Sequence, residues 1–141
     1  MPDSCVLALD MGTSSLKCLI ADLDGRVRAL ALRPVRYFRP EGLPPFSQEF
    51  SPMTVWADVC ELIAECLTEA GVRTEDVMAV ATTSQRGGMV FLDRKGDELY
   101  GGPIQDVRAF FEGMEIDDQR GEGLYSVTGR LPSFLFAPAR L

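Results

Sequence analysis

The feature that most constrains the fold is the stretch LALDMGTSSLKCLIADLDG, which runs from Leu7 to Gly25. It contains two apolar runs of strand length, at residues 5–9 and 16–23, and they are separated by a short turn. The second run is followed by Asp24-Gly25, which is a typical hairpin turn signal. We therefore expect an antiparallel hairpin that begins a sheet.

The first turn of this hairpin has an unusual composition, because an acid, a glycine and three hydroxyl residues follow the first strand. A loop that holds a phosphate chain needs inward backbone N–H groups and small side chains. Gly12 permits a close approach of the backbone, and Thr13, Ser14 and Ser15 add hydroxyl donors. Phosphates carry Mg²⁺, which favours a nearby carboxylate, and Asp10 is placed for that role. The alternative is a surface hairpin with an ordinary glycine turn.

The rest of the chain predicts strands at residues 26–36, 77–83, 89–92 and 98–100, and helices at 51–70 and 110–114. The strand at 26–36 alternates, so its arginines are expected on a solvated face, with the strand at a sheet edge. The helix is predicted from Ser51 as N-cap, Pro52 in the first turn and Gly71 at the end. Gly121-Glu122-Gly123 is predicted to be a flexible turn.

This order gives three antiparallel strands followed by a helix and a strand that joins the same sheet. A helix between strands implies a mixed sheet with a crossover, and the fold class is therefore α/β.

Composition excludes several classes of protein. The 141 residues include 14 Lys+Arg, 21 Asp+Glu and no histidine, for a net charge of −7. The acidic balance argues against a nucleic-acid surface, and the absence of histidine removes His-dependent catalysis and His-ligated metals from this chain. No apolar run approaches about 20 residues, so no membrane span is expected. The start of the chain lacks a positive region, which argues against a secretory signal.

The four cysteines lie at positions 5, 18, 60 and 66 and form no C-x-x-C pair. They are interpreted as small buried hydrophobic residues of a reducing cytoplasm.

Four stretches in order resemble the FGGY carbohydrate kinases, a group within the sugar kinase/Hsp70/actin superfamily. They are LALDMGTSSLKCLIADLDGRV, FSQEFSPMTVWADV, AVATTSQRGGMVFLDRKGDELYGGPIQDVRA and YSVTGRLPSFLFAPARL. The resemblance implies the ribonuclease H-like fold of actin-like ATPases, here as an incomplete lobe. It implies that residues 1–141 are the N-terminal portion of the first lobe, with a phosphate-loop hairpin at 5–25, a helix at 51–70 and a sugar-site corner at 83–108.

The resemblance also implies an activity: ATP-dependent transfer of the γ-phosphate to a hydroxyl of a sugar or polyol, with ATP and Mg²⁺ as cofactors. Asp10 would hold or orient the hydrated metal as the catalytic and metal-binding residue. The phosphates would be met by the turn and by a basic strand residue, namely Gly12, Thr13, Ser14, Ser15 and Lys17. An ordinary solvent-facing strand lysine is the alternative for Lys17.

The resemblance also implies which residues bind the acceptor sugar or polyol. Gln85 and Arg86 match a corner that hydrogen-bonds polyol hydroxyls, and Asp106 and Arg108 match a stretch whose acid faces the sugar. The alternatives are a solvated arginine at 86 and a surface ion pair between 106 and 108.

The sequence departs from the family pattern at several positions. Gly87 and Gly88 stand where glycerol kinases carry a glutamate, Ile104 replaces a tryptophan, and no tyrosine stands near Phe134 or Leu135. The family's general base and adenine-binding lobe come later than Leu141. The chain by itself is therefore predicted to be inactive and to associate with itself, for instance as a homodimer.

Two other interpretations remain: a non-catalytic remnant that acts as a binding module, and another actin-like or Hsp70-like ATPase. The Gln85-Arg86 corner and the Ser51-Pro52 segment with Trp56 argue against the second.

Overall fold

The computed structural model describes residues 4–130 and residue 140. The chain forms two compact units, each assembled from two segments. Unit 1 comprises Met1–Arg36 and Ser51–Gln85, and unit 2 comprises Tyr37–Phe50 and Arg86–Leu141.

Unit 1 is a four-stranded mixed sheet with one helix. Its elements are β1 (Cys5–Met11), β2 (Ser15–Asp22), β3 (Val27–Pro34), α1 (Pro52–Ala70) and β4 (Val77–Ser84), with a short 3₁₀ turn at Thr74–Asp76. The strand order is β3-β2-β1-β4; the first three strands pair antiparallel, and β4 lies parallel to β1. The predicted meander and crossover are confirmed. β1 extends past its apolar run, so Asp10 lies within the strand.

Helix α1 begins and ends where the sequence predicts. The Ser51 hydroxyl accepts a hydrogen bond of 3.2 Å from the backbone N–H of Thr54, which satisfies one of the free donors at the helix start. Pro52 occupies the first turn, where a missing N–H costs nothing. Gly71 ends the helix in the left-handed region, with φ 63°, and its N–H bonds back to the last turn.

The core of unit 1 lies between α1 and one face of the sheet. The fully buried side chains include Leu16, Cys18 and Ile20 on β2 and Val59, Leu62 and Cys66 on α1. Because side chains alternate along a strand, the opposite face carries Lys17 and Leu19 from β2. That face is uncovered in the described part of the chain, and its Leu30 and Leu32 on β3 are 48% and 58% exposed.

The sequence predicted that the arginines of β3 lie on a solvated face, and this is wrong for Arg33. Arg33 shares the helix-side face with Ala29, and its guanidinium lies 3.3 Å from Asp58 and 2.6 Å from Glu61 of α1. Arg36 donates hydrogen bonds of 2.8 and 2.9 Å to the two oxygens of Asp58. The Asp58 carboxylate is buried, so these hydrogen bonds, from Arg36 first and then Arg33, hold its pKa below the ordinary value against the opposing effect of burial.

Three of the four cysteines are buried, as predicted, and all four are free thiols. Cys60 is exposed, so the prediction was wrong at that position. The helical period explains the difference, because Val59 and Leu62 point into the core while position 60 turns outward.

Unit 2 contains the hairpin of β5 (Met89–Leu92) and β6 (Glu98–Gly102), followed by α2 (Phe110–Thr128). The predicted hairpin is confirmed. Its turn is closed by the Asp93 carboxylate, which accepts hydrogen bonds from the N–H groups of Lys95 and Asp97.

The predicted flexible turn at Gly121-Glu122-Gly123 is wrong, because α2 continues through it to Thr128 and ends at Gly129, with φ 67°. Each interior glycine costs a helix about 1 kcal/mol, and a cooperative 19-residue helix spans both.

The segment 37–50 is a loop closed by an antiparallel bridge between Phe38 and Glu49, with two backbone hydrogen bonds of 2.8 Å. A third, from Phe50 N–H to the Gly101 carbonyl, ties it to β6. Across residues 4–130 and 140, no helix is both long and apolar enough to cross a membrane.

Candidate functional site

The turn between β1 and β2 is held on both sides by backbone hydrogen bonds. Gly12 N–H donates to the Ser15 carbonyl at 3.1 Å, and the Ser14 carbonyl accepts from Val35 N–H at 3.1 Å. The Met11 carbonyl, where β1 ends, accepts from Gln85 N–H at 2.9 Å. The turn and the end of β4 are therefore fixed to each other.

Asp10 and Lys17 form an ion pair at the base of this turn. They are directly opposite each other in the β1–β2 register, and Lys17 Nζ lies 2.7 Å from Asp10 Oδ2. The side chain of Asp10 is 35% exposed and that of Lys17 is 41% exposed. An ion pair this open to water stabilises a fold by at most about 1 kcal/mol, so a ligand can rearrange it at low cost.

Gly12 keeps space open beside this ion pair. A Cβ at position 12 would lie 3.0 Å from the Ser15 carbonyl oxygen and 3.6 Å from both Asp10 Oδ2 and Lys17 Nζ. A larger residue would fill the space next to both charged groups. The Gly12 N–H is already bonded within the hairpin, so the contribution of Gly12 is close approach and not a donor.

Small-molecule sites are typically cavities of about 300–1,000 Å³. A cavity of about 310 Å³, at the lower end of this range, adjoins the ion pair on the uncovered sheet face. Its apolar floor comes from Ala8, Leu19 and Leu30. Asp10, Lys17 and Thr83 supply polar groups, and the β1–β4 register places Thr83 next to Asp10.

Asp106 in unit 2 is completely buried, and its carboxylate is already hydrogen-bonded. Oδ2 accepts from the Tyr100 hydroxyl at 2.5 Å and from Arg108 Nε at 2.7 Å, and Oδ1 accepts from Arg108 N–H at 3.1 Å. In this arrangement Asp106 is not open to a ligand. The surface ion pair considered as its alternative is in fact a buried cluster.

Tyr100 and Arg108 complete this cluster. Burial, together with the hydrogen bond to Asp106, raises the pKa of Tyr100 to about 12, so its hydroxyl stays a donor at neutral pH. The Arg108 guanidinium lies 5.0 Å from the centre of the Tyr100 ring. Its Nη2 atom lies 2.8 Å from Glu49 Oε1, which makes an ion pair but not an aligned hydrogen bond. Arg140 donates to the carbonyl oxygens of Pro103 and Ile104.

Gln85 and Arg86 fall where the two units meet along the chain, at the last residue of unit 1 and the first of unit 2. The Gln85 side-chain oxygen is buried and has no hydrogen-bond partner in the part of the chain that the structure describes. Arg86 is exposed. Gly87 has φ 69°, and a Cβ there would lie 3.2 Å from the Ile104 side chain, so two of the departures from the family pattern are neighbours.

The residues at the turn fit a hydrated magnesium ion. No group of three or more Cys, Asp or Glu side chains that could hold a metal occurs in the described part of the chain. Mg²⁺ keeps several waters and needs only one or two carboxylates besides phosphate oxygens. The open space at Gly12, with Asp10 beside it and hydroxyls at Thr13 and Ser14, meets that requirement.

Sequence reasoning missed the Asp10–Lys17 contact and the hydrogen bond from Tyr100 to Asp106. The β1–β2 register pairs Met11 with Leu16 across the turn, so residues 10 and 17 are the next pair and the first contact had a local signal. Glu49 contacts Arg108 and Arg140 contacts Tyr100; both come from distant parts of the sequence, and no local pattern could have placed them beside this cluster. The segment around Phe134 and Leu135 lies outside the described residues.

Comparison with known proteins identifies the family. A sequence profile described as the FGGY family of carbohydrate kinases, N-terminal domain, matches residues 5–130. An autoinducer-2 kinase from Klebsiella pneumoniae is 35% identical over 131 residues, which cover 90% of this chain and 24% of that protein.

Two crystal structures support the fold. A xyloylose kinase from Brucella ovis superposes with a TM-score of 0.82 at 21% identity, covering 96% of this chain and 27% of that one. A Plasmodium falciparum glycerol kinase with ADP superposes with a TM-score of 0.79 at 18% identity, covering 97% and 28%.

The chain belongs to the FGGY family of carbohydrate kinases, and its fold is the actin-like ATPase fold of those kinases, with only part of the domain present. It spans about a quarter of the length of the relatives it matches.

Proposed function

We propose that this chain is the N-terminal part of a kinase that transfers the γ-phosphate of ATP to a hydroxyl of a sugar or polyol. The observation that carries the proposal is the Asp10–Lys17 pair beside the open space at Gly12. A carboxylate, an ammonium group and hydroxyls gathered on one rigid turn suit a polyphosphate with its metal ion. Family membership supplies the reaction class.

In this proposal the turn positions phosphates and balances their charge. Asp10 orients the hydrated metal, and Thr13, Ser14 and Ser15 offer hydroxyls to the phosphate oxygens. Lys17 moves from Asp10 to a phosphate oxygen when nucleotide binds. Bound Mg²⁺ would neutralise part of the phosphate charge, because catalysis of phosphoryl transfer consists mostly of positioning and electrostatics.

For the acceptor we propose direct contacts at the corner and an indirect role for the buried cluster. The unpartnered oxygen of Gln85 would accept from a substrate hydroxyl, and the Arg86 guanidinium would donate to others. Asp106 and Arg108 would hold β6 and the residues after it in place. Gly87 has φ 69° and a Cβ there would lie 3.2 Å from the Ile104 side chain, so a glutamate at position 87 would be strained, which disfavours glycerol as the acceptor.

We further propose that the 141 residues alone do not turn over substrate. A kinase must hold nucleotide and acceptor together and exclude water between them. The autoinducer-2 kinase that the chain matches is about four times as long. Steady ATP-dependent phosphorylation of a ketose or polyol by the purified chain would contradict this.

Self-association through β4 is also proposed. Among the described residues, β4 has no strand on its outer side, and its Met78 and Val80 are 65% and 62% exposed. An unprotected apolar edge strand favours pairing with a second copy. We expect the light-scattering mass to rise with concentration and Val80→Lys to keep it monomeric; a monomeric mass of the unsubstituted chain at all concentrations would be the contrary result.

The buried free thiols are consistent with a reducing cytoplasm, which we propose as its location.

The phosphate site can be tested on the chain itself. We expect Mg·ATP to shift the amide NMR signals of Gly12, Ser14 and Lys17 with a dissociation constant of about 1 mM, because few contacts offset the lost freedom of the ligand. Asp10→Asn should abolish the metal-dependent part of the shift. Asp24→Asn, at the other end of the same hairpin, is the matched control and should bind like the unsubstituted chain. Equal binding by the two variants would refute the role of Asp10.

A further inference from the structure

Unit 2 contains a cavity that the proposed kinase site does not use. Its volume is about 400 Å³, within the range of small-molecule sites. All of its lining residues belong to unit 2, and they include three aromatic residues and three polar ones: Tyr37, Phe38, Phe46, Arg39, Ser47 and Gln48.

The wall of this cavity is a fixed loop. The bridge between Phe38 and Glu49 closes its base, and Ser47 N–H donates to the Pro44 carbonyl at 2.9 Å. Phe38 and Phe46 are nevertheless 50% and 43% exposed. Two large apolar side chains are thus held at the surface around a concave space.

Ser47 gives the cavity an unsatisfied polar group. The residue is 4% exposed, and among the described residues its buried hydroxyl oxygen has no hydrogen-bond partner. Buried polar side chains are nearly always paired, so an orphan at a cavity wall is a group that a bound water or a ligand can complete. A hydroxyl can donate to an anionic oxygen or accept from a ligand hydroxyl.

The charge at this cavity is positive, in contrast to the chain as a whole. Among the described residues, Arg39 forms no ion pair, and no lining residue is acidic. The full sequence carries a net charge of −7, so this absence of carboxylates is a local feature. A guanidinium is always charged and matches carboxylate or phosphate oxygens with two parallel donors.

We propose that this cavity is a second ligand site, which binds a small organic anion that carries a ring. The ring would lie against Phe38 and Phe46, and the anionic group would meet the Arg39 guanidinium, with the Ser47 hydroxyl completing the contact. A phosphorylated sugar and an aromatic carboxylate share this chemistry. The site needs neither nucleotide nor phosphate loop, so it stands independently of the kinase proposal.

The test titrates the 141-residue chain with four probes and follows its amide NMR signals. Glucose 6-phosphate and benzoate each combine a ring with an anion, while glucose and inorganic phosphate each supply one feature alone. We expect at least one combined probe to shift the amides of residues 38–48 and Gln105 saturably at about 1–10 mM, at least tenfold more tightly than glucose or phosphate. The stronger combined probe identifies the source of the anion.

Variants separate this site from a general attraction for anions. Arg39 is exposed, so Arg39→Ala should fold normally and weaken the better probe at least tenfold, with Arg39→Lys losing less. Arg94→Ala, an exposed arginine in the β5–β6 turn of the same unit, is the matched control and should bind unchanged. The proposal is overturned if no combined probe shifts this segment saturably, if inorganic phosphate binds equally well, or if Arg39→Ala and Arg94→Ala bind alike.

Discussion

Replacing Asp106 with asparagine tests whether this residue holds unit 2 together. The change keeps the volume and one acceptor oxygen but removes the charge. Oδ1 can still accept from Arg108 N–H, whereas an NH₂ group in place of Oδ2 faces two donors, the Tyr100 hydroxyl and Arg108 Nε. The substitution also leaves Arg108 with Glu49 as its remaining carboxylate partner among the described residues.

The expected loss can be worked from these contacts. Hydrogen bonds to a charged group contribute about 1.5–3 kcal/mol each, and two of them are lost. Rotation of the Tyr100 hydroxyl to accept from the new amide recovers about 1 kcal/mol. We therefore expect unit 2 to lose about 2–5 kcal/mol, which overlaps the range of about 3–5 kcal/mol for breaking a buried ion pair.

The assay is urea unfolding followed by the NMR signals of each unit separately, because a chain with two units need not unfold in one step. With a urea dependence of about 2 kcal/mol/M, the unit 2 midpoint should fall by about 1–2.5 M. Tyr100→Phe removes one hydroxyl donor and should cost about 1–2 kcal/mol, so the cluster can still be measured if Asp106→Asn fails to fold.

Asp118→Asn is the matched control, because Asp118 is an exposed residue of α2. It should change stability by less than about 0.5 kcal/mol. If Asp106→Asn is as stable as this control, the cluster does not hold the unit together, and the proposed indirect role of Asp106 is refuted.

Two further predictions concern unit 1. The hydrogen bonds from Arg36 and Arg33 lower the pKa of Asp58, so its contribution to stability is present above pH of about 4 and is lost as the pH falls through the lower native pKa. Asp58→Asn should therefore lower the urea midpoint at pH 7 and flatten the loss of stability on acidification, and an unchanged acid profile would contradict this. Iodoacetamide at pH 7.5 should modify Cys60 alone in the native chain, because Cys60 is exposed while burial raises the pKa of the Cys18 thiol to about 12. Mass spectrometry of digested peptides checks this, and native modification of Cys18 would show that the core between β2 and α1 opens.

Local signals were sufficient for most of the fold. Helix α1 is specified by residues at its own ends, and the β1–β2 hairpin by apolar runs and turn residues within it. That β4 joins the same sheet followed from the general rule for a helix between strands, whereas its pairing with β1 was not predicted.

The errors occurred where contacts distant in the sequence decide the outcome. Strict alternation places Arg33 on the same face as Ala29, and there its guanidinium meets acids of α1, which come from a distant segment of the chain. The glycines at 121 and 123 resemble a turn locally, yet the surrounding helix spans them. The role of Asp106 depends on Tyr100, and its partner Arg108 reaches Glu49, which lies in a different segment of the chain.

The Asp10–Lys17 ion pair at the β1–β2 turn is better explained by function than by a contribution to stability. Cross-strand neighbours at a half-exposed position contribute up to about 1 kcal/mol, whether they are an ion pair or two apolar residues. Folding therefore gives little reason to prefer Asp10 opposite Lys17, and the hairpin register would form from the flanking apolar residues in any case. A glycine that leaves space next to both charges adds no contact to the fold. A phosphate ligand with its metal ion gives each charge of the pair a separate partner: the cation for Asp10 and a phosphate oxygen for Lys17. The proposed phosphate site requires this exchange of partners.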